Sequence, residues 1–129
     1  MGVAFDPVTR ALEAFAARDL ETMTGYMTDD VIWATPGSSP LAGEFCGPDD
    51  VKRYLRLALE LTGDSVRVDL VDRLVGREYV AIVVDVSGDR LGLHLDQRAV
   101  QLFRLRDGRI AERRIFPPDL AAWDEFWSA

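Results

Sequence analysis

The sequence predicts a single α+β domain that spans residues 1–129. Apolar residues recur with a helical period in the first half of the chain and alternate with polar residues in the second half. Helices followed by a run of strands are typical of an α+β domain rather than of repeated β–α–β units. Neither a linker nor an internal repeat divides the chain, and its length suits one domain with a sizeable core.

Three helices are predicted before the run of strands. Asp6 can cap the first helix, and Pro7 suits its first position because an amide hydrogen there would have no helical partner. Asp19 predicts the cap of a second helix after a bend. Pro48 opens a third helix, and the acids at 49–50 would lie at the positive end of its dipole.

A short strand is predicted between the second and third helices, and a longer series of strands follows the third. Residues 31–35 are mostly apolar and end at Pro36, and the Gly-, Ser- and Pro-rich stretch after them predicts a loop or a short hairpin. From Ser65 onward the pattern has a period of two, as in a half-buried strand. Residues 79–86 are apolar almost throughout, which indicates a strand covered on both faces.

The end of the chain predicts a long β-hairpin and a closing helix. Residues 91–106 and 109–116 are predicted strands, and the residues between them, Asp107–Gly108, are a typical two-residue turn. The two prolines at 117–118 end the sheet, and Asp119 caps a last helix with an aromatic face.

The charge and hydropathy of the chain exclude several classes of partner. A formal net charge of -7 disfavours phosphate backbones, and acids interrupt the five arginines of residues 104–114, as in a solvated hairpin. No apolar window reaches the length of a transmembrane helix, and Met1–Pro7 lacks the basic region of a secretory signal. We therefore expect a cytoplasmic protein that binds neither nucleic acid nor a membrane.

The sequence also predicts no metal and no cofactor. Cys46 is the only cysteine and His94 the only histidine, which is too few for a zinc site. Turn chemistry explains the acid pair at 29–30, and helix-end electrostatics explains the pair at 49–50. The chain has no glycine-rich phosphate loop, no Cys-x-x-Cys pair and no nucleophile elbow.

Two segments carry a resemblance to a known family. Residues 33–43, WATPGSSPLAG, followed by Gly47, and residues 104–112, RLRDGRIAE, look like the SnoaL-like branch of the nuclear transport factor 2 superfamily. The resemblance covers nearly the whole chain and implies a cone-shaped antiparallel sheet wrapped around the N-terminal helices, with one internal pocket. This fold hosts isomerases, cyclases, hydrolases and plain binding proteins, so it does not set the activity.

Two catalytic sets of resembling families are absent when they are carried over position by position. Ketosteroid isomerases place their base just before a proline, here Thr35, and their oxyanion pair falls near Ala11 and on Gln101. Threonine cannot act as a carboxylate base, and alanine offers no donor. The aspartate–arginine–aspartate trio of limonene-type epoxide hydrolases falls on three apolar residues: Ile82, Val84 and Ile115.

The polyketide cyclases of the SnoaL-like branch use an acid–base pair on the late strands. This resemblance implies a role for His94, with Asp85 and Asp96 nearby. Strict alternation counted from Gln101 places His94 and Asp96 on the outer face, and Asp85 also faces outward if Ile82 and Val84 face inward, unless a β-bulge reverses the count. The candidate catalytic residues are His94, Asp85 and Asp119, with Gln101 and Trp33 as hydrogen-bond donors.

The same alternation predicts a largely apolar pocket wall with a few polar groups, which is the usual make-up of a ligand site. Arg113 is the most informative of these, because a buried guanidinium keeps its charge and needs an anionic partner. That partner is either a ligand carboxylate or enolate, or an internal acid such as Glu44 or Asp119. The predicted ligand-binding residues are Trp33, Thr35, Tyr54, Ile82, Val84, Gln101, Phe103, Arg113, Ile115 and Trp123, and Phe126 is predicted to close the mouth with Trp123.

The outer face of the predicted sheet is also apolar. A sheet that is apolar on both sides needs a cover. Domains of the resembling superfamily pair sheet to sheet, so the resemblance implies a homodimer through this face. The residues concerned are Val83, Val100, Leu102, Ile110 and Phe116.

Three functions remain open at this point. The leading hypothesis is a SnoaL-like enzyme that isomerises or cyclises an apolar carbonyl-bearing substrate, polyketide- or steroid-like, by cofactor-free proton transfer. The alternative is a non-catalytic small-molecule binding protein with the same pocket, and the third is a dimerisation module with a vestigial cavity. A general base facing the cavity favours the enzyme, its absence favours the binding protein, and a cavity too small for a ligand favours the module.

Overall fold

The computed structural model describes residues 6–129 and shows a mixed α+β fold. The stretch considered for a secretory signal falls largely on residues 1–5, which lie outside that range. The helices are α1 (Pro7–Ala16), α2 (Leu20–Gly25), α3 (Pro48–Leu61) and α4 (Leu120–Ser128). Within the described range no helix has both the length and the hydropathy needed to cross a bilayer. The strands are β1 (Met27–Thr35), β2 (Gly43–Cys46), β3 (Arg67–Val75), β4 (Tyr79–Arg90), β5 (Leu93–Arg106) and β6 (Arg109–Phe116).

The helix starts follow the predicted caps. The carboxylates of Asp6, Asp19 and Asp119 each accept a hydrogen bond from a backbone N–H in the first turn of α1, α2 and α4. Helix α3 instead begins after Gly47, which has no capping side chain, and takes Pro48 as its first residue. The local signals in the sequence therefore set all four helix starts.

The six strands form one curved, unclosed sheet in the order β2-β1-β6-β5-β4-β3. Neighbouring strands are antiparallel except β1 and β6, which are parallel. The sequence predicts an antiparallel sheet and does not predict this parallel pair. Hairpins determine only the directions of consecutive strands, and β1 and β6 are far apart in the chain. Strand β1 begins at Met27, four residues before its predicted start at 31, and β2 lies in the predicted loop or hairpin.

The concave face of the sheet holds the core. Along β4, the buried residues Val80, Ile82, Val84 and Val86 alternate with more exposed ones, as expected for a strand with one inward face. Helix α1 contacts β3 and β6, helix α3 contacts β1 and β2, and helix α4 contacts β5. The helices therefore cover the concave face and leave its opposite side free.

A β-bulge near the end of β5 changes which face β6 presents. The register shifts between Arg104 and Leu105, and Ile110 is fully buried with its N–H donating to the carbonyl of Tyr26. Ile110 was predicted on the outer face by strict alternation, and that prediction is wrong because the bulge turns it into the core. The turn itself is as predicted, since Asp107 and Gly108 both have the positive φ of a type I′ hairpin.

An exposed ion pair ties the start of β1 to the end of β5 and sets the pKa of Asp30. Hydrogen bonds from Arg106 and from Thr28 lower the pKa of Asp30 from 3.8 to about 2. Because the folded pKa lies below the ordinary value, the contribution of ionised Asp30 to stability is fully present above pH 3.8 and is lost as the pH falls toward 2.

Replacing Arg106 by glutamine is expected to raise the pKa of Asp30 from about 2 toward 3.8. The side-chain carboxyl shift of Asp30, followed by NMR from neutral to acid pH, measures this. Arg98→Gln is the matched control, because Arg98 pairs with Asp85 elsewhere on the sheet and should leave Asp30 unchanged. An Asp30 that still titrates near 2 without Arg106 would contradict the pair.

Candidate functional site

A cavity of about 60 Å³ lies between the concave face of the sheet and the helices. It has room for about two water molecules' share of liquid volume and is smaller than the ~150 Å³ cavity that holds benzene. A volume of this size limits any enclosed group to a very small molecule or to one end of a larger one. Most of the wall is apolar and comes from Val8, Ala11, Leu12, Phe15, Met23, Leu41, Leu55, Ala58, Val66, Val68, Val86, Phe103 and Ile115, together with three tryptophans.

The polar part of the wall centres on Arg113. The pairing of β6 places Arg113 between Trp33 on β1 and Phe103 on β5, so its side chain points to the concave face. Its guanidinium lies 4.7 Å from the Trp33 ring centroid and 5.6 Å from that of Tyr54 on α3. Both distances are in the range of cation–π contacts.

Neutral oxygens accept the hydrogen bonds of this guanidinium. Nε donates to Oε1 of Gln101 at 3.1 Å, and Nη1 donates to the carbonyl of Ala34 and to Oγ1 of Thr35, both at 3.0 Å. Thr35 Oγ1 is also 2.8 Å from the Tyr54 hydroxyl, and either hydroxyl can donate the hydrogen bond between them. The four polar side chains form one connected, buried network.

The network contains a cation and no anion. Arg113 is only 5% exposed, and none of the ion pairs formed within residues 6–129 includes it. Burial lowers the pKa of Arg113 below its ordinary value, with the charge interaction and the hydrogen bond of Tyr54 opposing the shift, and a guanidinium remains charged at neutral pH even so. A buried charge held only by neutral groups is the most unusual feature of this protein.

The predicted internal salt bridge of Arg113 is therefore wrong. Glu44 pairs with Arg114, the next residue along β6, whose side chain lies on the opposite face of the sheet. The carboxylate of Asp119 is used to cap α4. Alternation along a strand sends neighbouring residues to opposite faces, so an acid near Arg114 cannot serve Arg113.

The structure brings most of the predicted ligand-binding residues to the cavity wall. Thr35 contacts the cavity only through Tyr54 and Arg113, while Ile82 and Val84 are buried in the concave face without reaching the wall. Phe126 is buried on α4 against Trp127. The predicted residues that line the cavity are Trp33, Tyr54, Gln101, Phe103, Arg113, Ile115 and Trp123.

The three candidate catalytic residues all lie away from the cavity. His94 is exposed, with Nδ1 2.8 Å from Oδ1 of Asp89, and Asp85 forms a two-bond pair with Arg98 on the outer face. Strands β4 and β5 pair without any register shift, so no bulge reverses the alternation that sends these side chains outward. Asp119 is the third candidate, and its carboxylate caps α4. None of the three residues lines the cavity.

Trp127 and the wall contributed by α1 were missed as site residues. Trp127 stands one turn after Trp123, and this i, i+4 spacing on an aromatic helix face was available in the sequence. The helical spacing on α1 likewise predicts which residues face inward, but it does not show that they line a cavity. The residues concerned are Val8, Ala11 and Phe15.

The chemistry available inside the cavity is binding and hydrogen-bond donation. Among the residues that the structure describes, the wall contains no carboxylate and no imidazole, and its ionisable groups are Arg113 and the phenol of Tyr54. Nor do the described residues contain a cluster of three or more His, Cys, Asp or Glu side chains that could hold a metal ion. The polar part of the wall is the guanidinium together with the amide and hydroxyl groups that bond to it.

Comparison with known proteins places this fold and cavity in one family. The SnoaL-like domain family matches residues 8–113. Uncharacterised proteins of Mycobacterium tuberculosis and Mycobacterium bovis are 35% identical over 124 residues, which is 95% of this chain and 95% of each relative.

Solved structures show the same architecture. Bal32a, from a soil-derived mobile gene cassette, superposes with a TM-score of 0.90 at 30% identity, covering 94% of this chain and 93% of its own. TerC co-crystallised with polyporic acid gives 0.84 at 21% identity, with 95% and 96% covered. An NTF2-like protein of unknown function from Burkholderia pseudomallei gives 0.81 at 21% identity, with 95% of each chain covered. The chain belongs to the SnoaL-like domain family, within the NTF2-like fold.

Proposed function

We propose that this protein binds a small, largely apolar molecule that carries an anionic oxygen, with that oxygen at Arg113. The observation that carries the proposal is the buried guanidinium that has no carboxylate partner within residues 6–129. The apolar wall would supply affinity, and the polar network would fix the orientation.

The energetics of Arg113 support an anionic ligand. Moving a cation out of water costs several kcal/mol, and hydrogen bonds to neutral oxygens recover only part of that cost. The guanidinium donates to Gln101, Ala34 and Thr35, and Tyr54 is a further neutral hydrogen-bond partner. A ligand carboxylate or enolate would supply the negative charge that these neutral groups lack.

Binding rather than acid–base catalysis is the function that this geometry supports best. General-base catalysis needs a carboxylate, an imidazole or a comparable group within hydrogen-bond reach of the substrate. The described part of the cavity wall offers neither a carboxylate nor an imidazole and has only the phenol of Tyr54, and the predicted candidates face solvent or cap a helix.

The test compares ligands that have the same shape but differ in charge. Propionate and propionamide differ only in the group that would meet Arg113, and they are among the smallest acid and amide pairs that also carry an apolar end. We expect NMR titration at neutral pH to show propionate binding at least about tenfold more tightly. Equal affinities, or shifts confined to surface residues, would contradict the proposal.

Acid–base chemistry remains a second candidate because of Tyr54. Its hydroxyl is 2.8 Å from Thr35 Oγ1, and its ring lies beside the Arg113 guanidinium. In a cofactor-free isomerisation or cyclisation of a carbonyl-bearing substrate, Arg113 would hold an enolate oxygen while Tyr54 gives or takes the proton.

Replacing Tyr54 by phenylalanine is expected to slow any such proton transfer far more than it weakens carboxylate binding, because the charge-assisted bond to the carboxylate comes from Arg113. Deuterium uptake by acetone in D2O, followed by NMR, measures the reaction on the smallest ketone. If the protein is an enzyme of this kind, exchange is accelerated and the variant slows it about 100-fold. No acceleration by the unaltered protein would exclude the enzyme for this substrate and leave the binding function standing.

We also propose that the protein forms a homodimer through the outer face of the sheet. Pairing places Val83, Val100 and Phe116 in one row across β4, β5 and β6, with Val100 40% and Phe116 53% exposed. A contiguous apolar row of this kind is usually covered by a partner.

Phe116→Asp is expected to convert a dimer into a monomer, because it would bury a charge in an apolar interface. Light scattering at micromolar concentration measures the mass. Leu91→Asp is the control, since Leu91 is 78% exposed in the turn before β5 and far from this row. A monomeric mass for the unaltered protein would contradict the dimer.

The proposal includes a cytoplasmic protein without nucleic-acid partners. Cys46 is free and exposed, which suits a reducing compartment. The net charge of -7 supports the exclusion of nucleic acid.

A further inference from the structure

All three tryptophans of the chain bury an indole N–H that has no acceptor within the described residues. The side chains of Trp33, Trp123 and Trp127 are each about 2–3% exposed. Buried donors are almost always hydrogen-bonded, and an unpaired one costs on the order of 1–3 kcal/mol. Three of them around one cavity call for an explanation by what the cavity holds.

The three donors lie on two sides of the cavity. Trp33 is beside Arg113 on the sheet. Trp123 and Trp127 are one turn apart on α4, with ring centroids 5.9 Å from each other, so they belong to one face of that helix. The sheet side already has a charged group, whereas the unpartnered polar groups that α4 contributes are neutral donors.

The rest of the polar wall adds donors rather than acceptors. The guanidinium of Arg113 has donors only, and the buried side-chain atoms without a partner among the described residues are the three indole N–H donors. The acceptors close to them, Gln101 Oε1 and Thr35 Oγ1, already receive bonds from Arg113. A ligand that matches this wall is rich in acceptor oxygens and poor in donors.

Contacts with aromatic faces do not replace these missing partners. Trp127 packs edge-to-face against Phe126, with centroids 5.0 Å apart. An N–H that points at a ring gains much less than one that meets a carbonyl oxygen. Within residues 6–129, the ring of the neighbouring Trp123 makes one aromatic contact, the tilted one with the ring of Trp127.

We propose that the α4 face of Trp123 and Trp127 is a second polar subsite, which takes an uncharged acceptor oxygen of the ligand. The inference rests on the proposed function, in which the anionic oxygen lies at Arg113. The ligand class is then a carboxylate or enolate that carries a ketone, ester or ether oxygen away from its charged end, without a donor on that oxygen.

The test uses two acids of nearly equal shape. Methoxyacetate differs from butyrate only by an ether oxygen in place of one CH2 group. We expect methoxyacetate to bind about fivefold more tightly, because the ether oxygen accepts a bond from α4. In ¹⁵N-labelled protein, the indole N–H signals of Trp123 and Trp127 should move downfield with methoxyacetate and much less with butyrate.

Two variants separate the subsite from general packing. Trp123→Phe and Trp127→Phe each remove one indole N–H, keep an aromatic ring and assign one of the three indole signals. Each should reduce the preference for methoxyacetate over butyrate, measured as the ratio of the two affinities within the same variant, so that any change in packing caused by the smaller ring affects both acids alike. If only one variant folds, that variant, together with the ligand pair on the unaltered protein, still decides the question.

The outcomes distinguish the two proposals. If neither acid binds, the proposed function fails and the subsite fails with it. If both bind equally and the α4 indole signals respond equally, the anion site stands and the second subsite is overturned. Indole signals that show contact with a trapped water, unchanged by either ligand, would also overturn it.

Discussion

Replacing Arg113 by methionine is expected to weaken carboxylate binding about 100-fold while leaving the matched amide almost unaffected. The variant keeps an apolar side chain of similar length and removes the charge-assisted bond in a desolvated site, which is where such bonds are strongest. Titration of propionate and propionamide against both proteins measures the two affinities.

The neighbouring arginine provides a matched control. Arg114 also lies on β6, but it pairs with Glu112 and Glu44 on the outer face. Arg114→Met should therefore leave propionate binding within about twofold. If Arg113→Met binds propionate as tightly as the unaltered protein and only its stability changes, the guanidinium has a structural role and no ligand contact.

Gly37→Ala is expected to destabilise the fold by ~2–4 kcal/mol, which combines backbone strain with the loss of a tie to α4. Gly37 has a φ of +100°, and a Cβ there would lie 2.1 Å from Oδ1 of Asp124. That carboxylate accepts a hydrogen bond from the backbone N–H of Ser38, so it cannot move away without breaking the link between the β1–β2 loop and α4.

Gly43→Ala is the control that separates backbone strain at a positive φ from the steric contact with Asp124. Gly43 has a φ of +104°, and nothing lies within 4 Å of the position of its Cβ. It should cost only the ~1–2 kcal/mol of an unfavourable backbone conformation. Urea unfolding of both variants gives the difference, and equal losses of unfolding free energy would show that the contact with Asp124 adds nothing.

Short-range signals in the sequence, such as caps and turn residues, predicted most of the helices and strands. Asp6, Asp19 and Asp119 cap helices because a carboxylate satisfies free amides in any context. The turn at Asp107–Gly108 is equally local, since a two-residue hairpin needs positive φ at both positions.

Features that depend on distant parts of the chain were beyond the sequence pattern. The parallel contact between β1 and β6 joins segments separated by more than 70 residues, so no hairpin rule determines it. The bulge that buries Ile110 is a choice between two registers, and a period-two pattern cannot reveal it.

The candidate site also combines features that short-range patterns predicted with features that depend on distant parts of the chain. Alternation along the strands was enough to place Gln101, Phe103, Arg113 and Ile115 on the cavity wall. It could not show that Arg113 lacks an acid, because a partner can come from any element that packs nearby. The unpaired indoles are likewise visible only after folding, since a tryptophan in a sequence looks the same with or without an acceptor.

A crystal structure of the protein soaked in propionate tests the central claim most directly. The account predicts the ligand inside the cavity, with a carboxylate oxygen about 3 Å from Nη2 of Arg113 and its ethyl group against the apolar wall. Propionate found only on the surface, or an Arg113 whose guanidinium is paired with an acid of the protein, would contradict it.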